Sequence, residues 1–151
     1  MEDAVVGNAL IDLADFANAV GGDFHALHLN LIGDEFDTLH GEVLKKYYEE
    51  AGNDYDGLAE LARMYVETVP NPNGSAERIG FDSWDAGQVT KPAIVGRAED
   101  CMKGLLEMYS DVYRTVNEIE DDARTIGVAN FLQSRIEYWG KECAYFNRSR
   151  L

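Results

Sequence analysis

All three prolines of the chain, Pro70, Pro72 and Pro92, fall between positions 70 and 92, and the long stretches on either side contain none. Proline lacks a backbone donor and clashes with the preceding turn, so no helix crosses that window intact. Asn71, Asn73, Gly74, Gly80 and Gly87 gather in it too, which reads as one long connection between two halves. On both sides the apolar residues recur at steps of three and four, the period of a helix with one buried face.

In the first half Val6, Leu10, Leu13, Phe16, Ala17 and Val20 mark such a face, and Phe24, Leu27 and Leu31 keep its phase. Gly21 and Gly22 each weaken a helix by about 1 kcal/mol relative to alanine, too little to end one with this pattern. The spacing predicts a first helix to about Ile32 and a break at Gly33-Asp34. A second helix is expected from about Phe36 through Leu39, Val43, Tyr47, Ala51, Leu58, Ala62 and Tyr65, with a soft point at Gly52-Asn53. Thr90-Lys91-Pro92 opens a third, since proline is tolerated in a first turn. Ile94, Ala98, Cys101, Leu105, Met108, Val112, Val116 and Ile119 carry it to a stop at Thr125-Ile126-Gly127. A last helix is expected from Val128, with Phe131, Leu132, Ile136, Trp139, Cys143 and Phe146 inward. The expected fold is all-α: a ferritin-like four-helix bundle over residues 1–151, one domain, with the long crossover between helices two and three. Trp84 is expected to pin that crossover to the bundle.

With 13 basic and 28 acidic residues the net charge is −15, which disfavours a bare nucleic-acid surface and suits a cationic partner such as a metal ion. Cys101 and Cys143 form no CxxC pair, pointing to reduced thiols, buried packing and a cytoplasmic setting. Asp12 and Asp15 interrupt the first apolar stretch, so neither a signal peptide nor a membrane span is expected. Phosphate-binding glycine motifs are absent.

The three histidines, His25, His28 and His40, cluster around the expected break between the first two helices. Imidazole with carboxylate is a ligand set for zinc, iron, copper and manganese. Asp56 and Glu60, four apart on one face of helix two, supply carboxylates.

The stretch Phe24-His25-Ala26-Leu27-His28-Leu29-Asn30-Leu31-Ile32-Gly33, with Phe36 and Leu39-His40, resembles the Dps family of miniature ferritins (DNA-binding proteins from starved cells). That family's hallmark is a histidine-tryptophan-asparagine triplet, a glycine, a phenylalanine and a second histidine twelve residues after the first. Tyr55 to Ala62 is similar to its aspartate-x3-glutamate box, and Ala129 to Ala144 resembles its final helix. The resemblance implies a hollow homo-dodecamer with an inter-subunit di-iron ferroxidase site at each two-fold interface. His28 and His40 would come from one subunit, Asp56 and Glu60 from its mate. It further implies oxidation of Fe(II) by peroxide or oxygen and storage of the ferric mineral, with zinc or manganese as substitute ions. Glu118, Glu120, Asp121 and Asp122 crowd the C-terminal end of helix three, where they oppose the helix dipole and each other; a solvated acidic helix end is one reading, and the resemblance implies the other, a cation entry pore at the family's three-fold axes.

Several positions depart from the pattern. Leu29 stands in place of the tryptophan, Leu44 in place of a further aspartate one turn after the second histidine, and Asn130 in place of an aspartate in the last helix. The interval from His28 to Asp56 is one residue longer than usual. One extra residue turns a helix by about 100°, which a π-bulge would absorb, and Gly52-Asn53 is its expected position. DNA binding is expected to be weak or absent, because the chain lacks a lysine-rich tail and a shell multiplies the charge of −15. A non-catalytic assembly protein with a degenerate metal site is the alternative; a zinc or manganese hydrolase lacks an identifiable nucleophile or base.

Overall fold

The computed structural model describes residues 2–31, 42–85, 89–119 and 122–149. Four long helices make the bundle: α1 (Glu2–Asn30), α2 (Lys45–Ala62), α4 (Lys91–Asn117) and α5 (Ala123–Ser149); a short α3 (Ser75–Ile79) lies in the crossover. Helix α1 packs against α2, α3 and α4, and α4 packs against α5. Leu10, Leu13, Val20, Phe24, Leu58, Met102, Leu105, Leu132 and Trp139 are fully buried where the four long helices meet. No strand occurs among the described residues.

Helices α1 and α2 run antiparallel at close range. The Phe24 and Tyr47 rings lie 5.4 Å apart, Gly21 faces Ala51, and Gly7 faces Tyr65. At Gly7 a Cβ would meet Val66 Cγ1 at 2.5 Å and Tyr65 Cβ at 3.1 Å, so any larger residue would force the α1–α2 junction to shift. On the other side of α2, Lys46 pairs with Glu142 at 3.0 Å and Arg135 with Glu50 at 2.8 Å, which aligns α5 antiparallel to α2.

The expected crossover is present, and two buried acids of α1 hold it. Asp15 accepts a hydrogen bond from Ser75 Oγ at 2.8 Å and a two-pronged one from Arg78 at 2.7 and 2.9 Å. Asp23 accepts from the Trp84 backbone N–H at 2.9 Å and from Arg97 Nε at 2.7 Å. Trp84 thus does pin the crossover, through its main chain. Within it, Ser75–Ile79 forms one helical turn and a half, ended by Gly80 at φ 63°, a left-handed position that glycine takes without steric cost. The sequence pattern held too few apolar repeats to reveal this piece.

Other boundaries differ from expectation. Helix α1 ends at Asn30, and the expected break at Gly33-Asp34 and start at Phe36 lie outside the described residues. Thr125-Ile126-Gly127 belongs to the start of α5 and does not end α4, which stops at Asn117. By length and mean hydropathy α1 is sufficient to cross a membrane, contrary to the reading from Asp12 and Asp15. Its apolar window is nevertheless 56% buried inside the bundle, as in any core helix. Both cysteines are free and buried, and burial beside Asp23 pushes the Cys101 thiol up to about 12, so it stays protonated.

Candidate metal half-sites

The last turns of α1 present His25 and His28 three residues apart, on neighbouring parts of the helix surface. His28 is 7% exposed, whereas His25 faces solvent. Tyr48 of α2 packs against both: its ring stacks on His25 at 4.4 Å and meets His28 edge-on at 5.2 Å. His40 lies outside the described residues.

Asp56 and Glu60 are both exposed, one turn apart on the outer face of α2. The α1–α2 register sets Ala51 beside Gly21 and Tyr47 beside Phe24, so His28 stands across from the start of α2 and Asp56 across from about Phe16. Along the bundle that is roughly 18 Å, a dozen residues at 1.5 Å each. One protomer therefore keeps the imidazole end and the carboxylate pair apart. Among the described residues no three histidine, cysteine or acidic side chains converge on a common point.

The bulge expected at Gly52-Asn53 is not there, since both residues are α-helical within α2. A π-helical stretch occupies 42–44 instead, between His40 and Asp56, and runs straight into α2 through Leu44 at helical φ and ψ. A widened turn adds a residue without breaking the helix, the kind of accommodation expected at Gly52-Asn53. Glycine at 52 gave a false signal: exposed and unopposed, it weakens the helix slightly without deforming it. Leu44, in place of the family's extra aspartate, is 1% exposed and belongs to the core; Leu29, in place of its tryptophan, is 66% exposed.

The acids expected together at the end of the third helix divide between two elements. Glu118 follows α4 as its C-cap, Asp121 and Glu120 lie outside the described residues, and Asp122 immediately precedes α5. The Asp122 carboxylate accepts from the backbone N–H groups of Arg124 and Thr125 at 2.9 and 3.0 Å, while its own N–H donates to Thr125 Oγ1 at 2.8 Å. Those contacts hold its carboxyl below the ordinary carboxylate range, the Thr125 amide foremost. Asp122 thus complements the α5 dipole, where the sequence reading had it opposing that of the preceding helix.

The sequence reading missed Asp54. It is 3% exposed, and its Oδ2 accepts from both Tyr109 Oη and Trp139 Nε1 at 2.7 Å, while Arg135 Nε stands 2.8 Å from Oδ1. Burial pushes the Asp54 carboxyl up, and Trp139, Arg135 and Tyr109 pull against that rise. Burial beside this carboxylate likewise raises the Tyr109 hydroxyl far above the usual tyrosine range. The signal was present: position 54 keeps the stripe of Tyr47, Ala51, Leu58 and Ala62, so an acid there faces the core.

No family model matches the sequence, and no curated protein matches it either. Solved structures do. A Dps protein from Vibrio cholerae O1, described as a member of a broad superfamily of ferritin-like diiron-carboxylate proteins, superposes with a TM-score of 0.82 at 18% identity, over 99% of this chain and 91% of that one. A mutant of Dps1 from Mycobacterium smegmatis gives a TM-score of 0.78 at 16% identity, covering 98% of this chain and 96% of that one. Identities this low speak for architecture, and the architecture is unambiguous: this chain has the ferritin-like helical-bundle fold of the Dps proteins.

Proposed function

We propose that the chain is a Dps-like ferroxidase and iron-storage subunit, a single domain that assembles into a cytoplasmic homo-dodecamer. The observation that carries this reading is the separation of His28 from Asp56 and Glu60 along one protomer, together with the outward exposure of both acids. Two half-sites at opposite ends of a helix pair become whole when a two-fold axis brings an antiparallel copy alongside. His28 and His40 of one subunit would then face the mate's acids, and metal binding and assembly would stabilise each other.

Ferrous iron is the substrate in this reading. The carboxylates offset its charge and favour the ferric product, while the imidazoles supply neutral nitrogen donors. Each Fe(II) gives up one electron; two such electrons cleave the peroxide O–O bond and yield two hydroxides, which become part of the ferric mineral. Zinc and manganese would compete for the same ligands. Glu118, Asp121 and Asp122 would raise the local Fe(II) concentration at a cation pore, with Asp122 acting through whatever charge its capping role leaves exposed. DNA binding would be weak or absent, because −15 per chain repels phosphates.

Buried Leu44, where a further aspartate is expected, favours a second reading: an assembly protein with a degenerate metal site. Anaerobic loading with Fe(II) followed by peroxide, monitored by ferric absorbance, separates the two. The ferroxidase reading predicts oxidation faster than in buffer and loss of that acceleration in a His28→Ala/Asp56→Ala variant. A wild-type rate equal to buffer would leave only the assembly role.

A further inference from the structure

Asp54 ties three helices together, but the two aromatic donors it accepts from, Tyr109 and Trp139, are also of the side-chain types that most readily lose an electron. We propose that Trp139 is an internal one-electron donor, which reduces a one-electron oxidant arriving at Tyr138 and holds the resulting positive charge against Asp54. Its oxidant comes from the iron chemistry proposed above, since a single Fe(II) meeting peroxide yields Fe(III), hydroxide and hydroxyl radical. Its residues are separate from His28, His40, Asp56 and Glu60.

Trp139 is fully buried, yet rings lead to it from outside. Tyr138 meets the indole edge-on, with ring centres 5.1 Å apart and 86° between the planes. Tyr138 is itself half-buried and lines an open groove along α5 beside exposed Tyr145, so a single ring-to-ring step joins solvent to the core. On the inner side Phe24 stacks over the indole at 6.0 Å and 7°, and Tyr47 lies 5.8 Å away. With its faces covered, an oxidised indole is shielded from addition of water or oxygen, and loss of the electron stays reversible.

Charge supplies the second element. A positive charge inside a core is costly unless a negative one stands beside it. Nε1 of Trp139 donates to Asp54 Oδ2 at 2.7 Å, and around that bond two carboxylates, Glu50 and Asp54, outnumber one guanidinium, Arg135. These three groups carry one net negative charge, which removal of an electron from Trp139 neutralises, and their attraction is strong in a poorly screening interior. A phenol that loses an electron must also shed its proton. The Tyr138 hydroxyl is buried without a hydrogen-bond partner among the described residues, so the charge does not rest there. An indole keeps its N–H, and the hydrogen bond to Asp54 survives. The electron passes from the indole through the Tyr138 ring to hydroxyl radical, which becomes hydroxide. A second Fe(II) then returns the electron to the Trp139 radical cation and becomes Fe(III). Together these steps oxidise two Fe(II) and reduce one peroxide to two hydroxides.

The test uses the full-length protein without iron, oxidised by a flash-generated ruthenium(III) tris-bipyridine complex and frozen for electron paramagnetic resonance. The chain has two tryptophans, and Trp84 holds the crossover through its main chain, so Trp84→Phe leaves Trp139 the one indole with its packing untouched. In that variant, grown on ring-deuterated tryptophan, we expect a radical whose hyperfine splitting narrows on labelling. Tyr138→Phe keeps a ring that resists oxidation and should slow the radical's appearance. Asp54→Asn keeps an acceptor, removes the charge and should shorten the radical's lifetime. Far-UV circular dichroism checks that each variant stays helical. A radical indifferent to tryptophan labelling, such as one abolished by Tyr109→Phe, would overturn the proposal, as would a wild-type lifetime in Asp54→Asn. Failure of iron oxidation in a separate assay, with the labelled indole signal retained, would instead remove the ferroxidase reading and leave Trp139 as an electron donor.

Discussion

Oligomers built only from His28→Ala chains, and oligomers built only from Asp56→Ala/Glu60→Ala chains, are each expected to lose accelerated iron oxidation, by at least about 10–100-fold. Mixing the two variants before assembly should restore part of it. At a two-fold interface each pair of subunits makes two sites, each with histidines from one chain and acids from the other. A mixed pair contains one site with both half-sets intact and one with neither. Random pairing makes about half the interfaces mixed, and so about a quarter of the sites are complete. Ferric absorbance after peroxide addition, at equal iron loading, reads this directly. If all ligands lay in one chain, neither variant would hold a complete set and mixing would restore nothing.

Replacing Asp54 by alanine is expected to cost about 3–5 kcal/mol, the usual penalty for removing one partner of a buried ion pair. The loss is large because three groups lose an acceptor together: the Tyr109 and Trp139 donors, both in the bundle core, and the Arg135 guanidinium, 18% exposed, which keeps only Glu50. Two of the three reside on α5 and one on α4, so Asp54 joins α2 to both. Asp54→Asn retains an oxygen acceptor while removing the charge, and should fall between wild type and alanine. Urea unfolding at fixed protein concentration measures the difference; a fixed concentration is needed because assembly stabilises the folded chain. A cost below about 1 kcal/mol for Asp54→Ala, the level of an exposed pair, would show that the network adds little.

The bundle was legible in the sequence because each long helix carries an unbroken apolar stripe and the prolines are confined to one window. Where the reading went wrong, a short-range signal competed with tertiary structure. Thr125-Ile126-Gly127 resembles a helix stop by composition, but Asp122 three residues earlier than Thr125 caps a new helix there. Gly52-Asn53 resembles a weak point, yet π-helical geometry occurs at 42–44, over Glu42, Val43 and Leu44, none of which breaks a helix by composition. Asp54 hid among 28 acids, and only its phase with Tyr47, Ala51 and Leu58 distinguished it. Of the candidate site, only the placement of its acids was legible: spacing put Asp56 and Glu60 on one face of α2, where both are exposed, but spacing carries no information about which chain supplies the imidazoles.

That question is settled most directly by anomalous scattering at the iron edge from crystals soaked anaerobically in Fe(II). The account predicts peaks on the two-fold interface, each flanked by His28 of one protomer and by Asp56 and Glu60 of the partner subunit. Peaks confined to a single protomer, or an interface that turns Asp56 and Glu60 away from every His28, would contradict it.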